Sequence, residues 1–379
     1  MKIADVCVVG LGGCGGNLAD EFAQKGFYCT AINFSQSDLN SLQYVHEKLK
    51  LLGSEGLGHQ RNEAIELISS HIEVLTSFIY KHCEHSEVVI VPFSTGGGSG
   101  SGLASVVLQI ISNTYPDKAI VAIPVMPHNE EGTTALTNNQ QVFEELTNME
   151  NVCIIPIDNQ QVKKQYGAIG KSKIYNVTNK TIVDHLYSLY AYTEKASKSG
   201  SFDKRDFINL FKQEGFCSIA EVVDVSYWLE KEKINLNSKG MKRLFERVLD
   251  QSIFAPIEHD SLGRVAVIID TDNDDIPDNI DNSAFEDFAN QPLDVFEGIY
   301  NHEQSEFVMV VYTGLSLPQK RLEQIDEVIE NRKKEIENLP RTNTAFKSKF
   351  NSLSLPSNKP IQKKEKMSTQ DILNMYRKR

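Results

Sequence analysis

Three stretches of this 379-residue chain combine residue types whose spacing could do chemistry. Gly10-Leu11-Gly12-Gly13-Cys14-Gly15-Gly16-Asn17 directly follows a Val-rich segment, and Ser94-Thr95-Gly96-Gly97-Gly98-Ser99-Gly100-Ser101-Gly102 follows another. Glycine runs between a strand and a helix let backbone N–H groups and a helix N-terminus approach phosphate oxygens. The serine hydroxyls of the second run, Ser99 and Ser101, add donors to that cradle. Neither run contains the Gly-Lys-Ser/Thr ending of a Walker loop, so phosphate charge has to be met by backbone amides and a metal ion. The third stretch, Ser199 to Phe207, holds Asp203 and Asp206. Two carboxylates three residues apart at a helix start share one side and can polarise a water molecule.

The elements that must position these residues are legible as alternating periodicities. Nearly continuous apolar runs at Ile3–Val9, Phe27–Ile32, Glu87–Phe93, Ala119–Val125 and Val152–Ile157 predict strands buried on both faces. Between them, Ala64, Ile65, Ile68, Ile72, Leu75 and Ile79 recur at helical intervals, as do Leu103, Val106, Val107, Ile110 and Ile111. Strands alternating with helices predict an α/β fold with a parallel sheet, whose ligands sit at the carboxyl ends of the strands. A joining helix is expected over Thr178–Lys195. Beyond it an α+β region is expected, with strands at Arg264–Asp270 and Glu306–Thr313 and a polar helix from Pro318 to Leu339.

Charge is unevenly divided. The formal net charge is −12, yet residues 340–379 hold ten basic residues and two acidic ones, leaving −20 on residues 1–339. An acidic body with a basic, apolar-poor tail predicts a folded core and a solvated arm that seeks acidic surfaces or polyanions. Ser368, Asp371, Ile372, Leu373, Met375 and Tyr376 could form a short docking helix within that arm. No apolar run reaches the ~18 residues of a spanning helix, so a soluble, cytoplasmic protein without membrane contact is expected. The six cysteines form no CxxC pair, and neither disulfides nor zinc are indicated. Asp270, Asp272, Asp274 and Asp281 fit part of a calcium-loop pattern, but Asp275 replaces its glycine, and a solvated acidic loop is expected instead. Trp228 is read as a packing residue, and the His82–His85 cluster as a cationic helix end.

Gly10, Gly12 and Gly15 also satisfy G-x-G-x-x-G, which leaves a dinucleotide-dependent oxidoreductase open. That reading has Asn33 where an acid would hold the ribose, and it leaves the second glycine run and the aspartates unexplained.

The second glycine run resembles the signature of the tubulin/FtsZ GTPase superfamily, and the first resembles that family's opening glycine box. Across residues 1–210 the order of the other motifs is similar. The resemblance implies GTP and GDP as ligands, with Mg²⁺ bound mainly through phosphates and water rather than by a dedicated protein cage. It assigns nucleotide contacts to Gly12, Gly13, Cys14, Asn17, Gly56, Gly58, Gly96, Gly97, Gly98, Ser99 and Gly100. Glu131 would hold the ribose, and Asn159 and Asn179 the guanine. Asp203 and Asp206 would act on the nucleotide of the next subunit, with Ser201 standing where the family has asparagine.

The implied division is a Rossmann-like GTP-binding domain at 1–177, a central helix at 178–200, and the acid loop with a smaller α+β C-terminal domain at 201–317. A C-terminal helix at 318–339 and a flexible, mostly disordered basic tail at 340–379 complete it. Within the superfamily the chain looks most like the plasmid and phage TubZ group. That implies head-to-tail filaments, a role in DNA segregation, and a DNA-bound adaptor or DNA itself as partner of residues 359–379. A cell-division ring scaffold of the FtsZ type is the alternative.

Overall fold

The computed structural model describes residues 5–167, 170–198, 200–232, 238–272, 282–303 and 305–338. The expected tail elements and the acidic positions Asp274, Asp275 and Asp281 lie outside the described residues. The chain divides into two units, Met1–Lys334 and Glu335–Arg379, and the contacts below belong to the first.

The first part of the chain runs β1 (Val6–Leu11), α1 (Gly12–Gln24), β2 (Tyr28–Asn33), α2 (Gln36–Ser41), β3 (Glu47–Lys50), α3 (Arg61–Ile68), α4 (Ile72–Cys83), β4 (Val88–Ser94), α5 (Ser99–Thr114), β5 (Ala119–Met126), α6 (Thr133–Leu146), β6 (Val152–Ile154), β7 (Ile157–Asp158) and α7 (Asn159–Tyr166). It continues with α8 (Lys171–Tyr192), α9 (Lys204–Phe211), β8 (Gly215–Val223), α10 (Val225–Glu232), α11 (Ser238–Asp250), β9 (Arg264–Thr271), β10 (Asp294–Tyr300), β11 (Glu306–Leu315) and α12 (Gln319–Asn338).

All these strands join one sheet in the order β10-β9-β11-β8-β6-β5-β4-β1-β2-β3, with β7 beside β5. From β3 to β8 every pairing is parallel, and only β11 runs antiparallel to its neighbours β8 and β9. Cys7, Val9 and Leu11 pack into the core on one face of the sheet, and Val6 and Val8 into the core on the other. Burial on both faces is what makes the strand sequences continuously apolar.

Several expected boundaries shift. The helix read through Ala64–Ile79 is broken by a 3₁₀ turn at Ser69–His71, where two serines and a histidine turn their side chains onto the Glu66 and Leu67 carbonyls. Pro156 interrupts the last expected strand, which becomes β6 and β7. The central helix begins at Lys171, seven residues before its expected start at Thr178. Asp270 is not in a solvated loop: it is 1% exposed and accepts hydrogen bonds from Tyr192 Oη (2.8 Å) and the His302 backbone N–H (3.0 Å). Trp228 is partly buried against the core.

The glycines of the first run serve packing as much as ligand approach. A Cβ on Gly15 would lie 2.1 Å from the Pro92 carbonyl oxygen, because α1 rests on β4 there, whereas a Cβ on Gly132 would meet nothing within 4 Å. Gly15→Ala is therefore expected to cost about 1–3 kcal/mol of stability and lower the thermal midpoint by a few degrees, with Gly132→Ala close to wild type. Scanning calorimetry of the two variants checks this.

Candidate functional site

The parallel strands deliver their loops to one edge of the sheet. At the end of β1, Gly12 takes a left-handed backbone with φ of +68°, and its missing Cβ leaves room for the Gly100 amide, 2.7 Å from where that Cβ would stand. The two glycine runs thus touch each other, and α1 and α5 both start at this contact.

Two adjoining cavities open there, sharing Cys14, His59, Ser94 and Gly97. The larger, about 400 Å³, is floored by Gly13, Gly56, Gly58, Gly98, Ser99 and Gly100. The second, about 250 Å³, is walled by Asn17, Gly96, Glu131, Asn159 and Asn179. Every residue expected to bind nucleotide therefore lines one cavity or both, except Gly12, which is buried beneath them. Ser101 does not face the cavity. Its fully buried hydroxyl donates back to the Gly97 and Gly98 carbonyls, which closes the first turn of α5 and corrects the expected donor role.

The charge pattern of the larger cavity is unusual for an anion site. Among the described residues that line it there is no lysine or arginine, whereas Asp38 is one of them. Asp38 is held in place by Asn33, whose side-chain N–H donates to Asp38 Oδ2 at 2.9 Å, and by the Ser35 cap of α2, which accepts from the Asp38 amide at 3.2 Å. Sequence reasoning missed Asp38. The Ser-x-x-Asp pattern signals only a helix start. It also missed His59, which takes φ of +70° and approaches the Gly96 carbonyl oxygen at 2.8 Å through Nδ1.

In the smaller cavity Asn159 is 5% exposed, and its side-chain oxygen has no hydrogen-bond partner among the described residues. A buried acceptor without a donor is costly unless a ligand supplies one. The Watson–Crick edge of guanine carries adjacent N–H donors that would do so. Tyr175 and Thr178 on α8 stand in the same wall as Asn179.

Asp203 and Asp206 line neither cavity. They form a reciprocal capping box at the start of α9: Asp203 Oδ1 accepts from the Arg205 and Asp206 amides at 2.6 and 3.0 Å, and Asp206 Oδ2 accepts from the Asp203 amide at 3.0 Å. Burial pushes the Asp206 carboxyl above its ordinary range; the hydrogen bond from the Asp203 amide opposes this, and the negative charge of Asp203 adds to it. Lys204, between them, pairs with Asp5 (3.0 Å) and Glu87 (3.1 Å), which immediately precede β1 and β4. The glycine runs follow those same strands. The acids and the cavities therefore sit at opposite edges of the sheet, separated by the length of a six-residue strand, about 20 Å.

Residues 5–167 match the Tubulin/FtsZ family, GTPase domain. The tubulin-like protein CetZ of Pyrococcus abyssi is 31% identical over 192 residues, covering 48% of this chain and 52% of CetZ. The chain thus spans about half the length of that relative. The tubulin-like protein TubZ of Clostridium botulinum C phage is 21% identical over 331 residues, covering 86% of this chain and 83% of TubZ. Among solved structures, a GTPγS-form protofilament of Bacillus thuringiensis serovar israelensis TubZ superposes with a TM-score of 0.74 at 17% identity, over 89% of this chain and 94% of that one. This last likeness shows the fold.

Of the six cysteines, Cys14 alone is not fully buried, yet desolvation, with help from the negative charge of Glu131, pushes its thiol up to about 12. The raised value keeps the unreactive thiol form through neutral pH. Iodoacetamide at pH 8 is expected to modify Cys14 roughly a thousandfold more slowly than a free thiol, with the rate still climbing about tenfold per pH unit at pH 9. Peptide mapping after timed labelling measures both.

Proposed function

We propose that this chain, whose residues 5–167 carry the GTPase domain of the Tubulin/FtsZ family, binds GTP in the paired cavities and hydrolyses it between successive subunits of a filament. The observation that carries this reading is the separation of the two halves of the chemistry. The cradle stands at the carboxyl edge of the parallel strands, and the aspartates stand at the amino edge. One molecule cannot bring them together. Head-to-tail stacking does so at every junction, and a heterologous contact of that kind builds an open filament.

In this arrangement the backbone amides at the start of α5 hold the phosphates and Asn159 accepts from the guanine. Asp206, with Asp203, orients the attacking water toward the neighbour's γ-phosphorus. That the described residues lining this cavity include no lysine or arginine, but do include Asp38, fits a hydrated Mg²⁺ on the phosphates, which would neutralise charge developing there. Asp38 is the carboxylate that would meet its water shell.

The finer role we infer is movement of plasmid or phage DNA by a TubZ-like filament in the cytoplasm. Supporting it is the reach of the likeness to phage TubZ, which extends over 86% of this chain, whereas the stronger identity to CetZ covers 48%. The basic residues Lys359 to Arg379 are assigned to a DNA-bound adaptor, or to DNA directly.

Three outcomes are expected. GTP hydrolysis per molecule should rise steeply above a threshold protein concentration. Asp206→Ala should pellet with a slowly hydrolysed GTP analogue yet hydrolyse roughly 100-fold more slowly; a rate per molecule independent of concentration, with no pellet, would sink the reading. Deleting residues 359–379 should leave filaments intact and abolish co-sedimentation with an adaptor–DNA complex. Full co-sedimentation of the deletion would refute the tail assignment.

A further inference from the structure

The loop that carries Glu131 is not held by its own strand and helix alone. Its carbonyls are gripped from behind by α12, from more than 190 residues away in sequence. Arg321 is fully buried and donates three ways: Nε to Asp158 Oδ2 (2.7 Å), Nη1 to Asn129 Oδ1 (2.7 Å) and Nη2 to the Pro127 carbonyl (3.1 Å). Three turns further along the same helix, Arg332 donates Nη2 to the Asn129 carbonyl at 2.6 Å and Nη1 to the Glu131 carbonyl. The His128 carbonyl, between those of Pro127 and Asn129, accepts the Glu131 amide at 3.0 Å, and the His128 amide donates to the Glu131 carboxylate at 3.1 Å.

A guanidinium presents rigidly spaced donors, so two of them fix the path of a short loop where lysines would give point contacts. Asp158, the other partner of Arg321, caps α7 by accepting from the Gln160 amide at 2.9 Å. It immediately precedes Asn159, whose side-chain oxygen is the unpartnered acceptor in the smaller cavity. Burial raises the Asp158 carboxyl while Arg321 pulls it down. A buried charge in such a place persists only when it is paired and hydrogen-bonded, as it is here. The two arginines therefore brace the backbone at two residues that line one cavity, Glu131 and Asn159.

We propose that Arg321 and Arg332 are positioning residues of the nucleotide site, setting guanine-nucleotide affinity from outside it, so that α12 is a working part of a site whose family-matched domain ends at residue 167. This rests on the guanine-nucleotide reading above. Neither arginine lines the nucleotide cavities, so neither touches the ligand. Arg332 is the sharper probe, because it is half-buried and, among the described residues, its hydrogen bonds go to loop carbonyls, whereas removing Arg321 would strand the buried Asp158.

The test is titration of the full chain with a fluorescent GDP analogue below the filament threshold, alongside thermal unfolding without nucleotide. Arg332→Gln is expected to weaken GDP binding about tenfold or more through faster dissociation, with its unfolding midpoint within 2 °C of wild type, and Arg332→Lys to fall between. Binding within twofold of wild type for Arg332→Gln would overturn the inference. So would a loss of affinity that tracks an equal loss of thermal stability, which a merely structural role produces. If Arg332→Gln does not fold, Arg332→Lys decides by the same measures: threefold weaker binding supports the role, and unchanged binding overturns it. A wild-type chain that binds no GDP would defeat the guanine-nucleotide reading and this inference with it, whereas unchanged variants beside a binding wild type defeat this inference alone.

Discussion

A run of parallel strands has two unlike edges, and that inequality organises the molecule. From β3 across to β8 all pairings are parallel, so every strand-to-helix loop emerges at one edge and every helix-to-strand return at the other. At the first edge, helix N-termini expose unpaired N–H groups, which suit an anion. At the second edge, Asp5 and Glu87 gather beside the start of α9 and hold Lys204. The paired cavities and the pair of aspartates stand at opposite edges, and on the function proposed above the complete reaction therefore takes two molecules.

One element spans the gap. α8 contributes Thr178 and Asn179 to the cavity near its start and reaches Tyr192 at its end, and its 22 residues extend about 33 Å. The loop that follows is secured before it presents the aspartates. Lys198 donates its amide to the Ile299 carbonyl at 2.8 Å, and Phe202 is 1% exposed. Tyr192 Oη donates to the buried Asp270 at 2.8 Å, and Tyr300 Oη to the Tyr192 carbonyl at 3.0 Å. The acid end and the cavity end are thus tied to a single helix, and each is anchored by contacts from the C-terminal half of the chain.

How much of this was legible in the sequence depends on where each signal resides. The glycine runs, the apolar strands before them and the helical stripe after the second are local, and they announce themselves as strand, loop and helix. The paired aspartates are local as well, but their spacing reads equally as a helix cap, and the capping box shows that they are also one. What stayed hidden depends on distant partners. Asp38 faces the phosphate cavity because Asn33 holds it there, and His59 does so because a left-handed residue brings its ring to Gly96. Arg321 lies in a polar helix that gives no hint of burial until Asp158 and Asn129 meet it. β10 was missed because its sequence Asp-Val-Phe-Glu-Gly-Ile-Tyr belongs to an edge strand with exposed charges and a central glycine.

The claim that one site is built from two molecules is tested most directly by mixing two variants, each expected to hydrolyse GTP far more slowly than wild type when alone. Asp206→Ala keeps an intact cavity and lacks the acid. Gly97→Asp keeps the acids but places a carboxylate where the two cavities meet. In copolymers, the intact cavity of the first faces the intact aspartates of the second, so the account predicts that GTP hydrolysis reappears on mixing and peaks near equal proportions. Hydrolysis that stays absent at every ratio, while the two variants co-sediment in the same filaments, would contradict it.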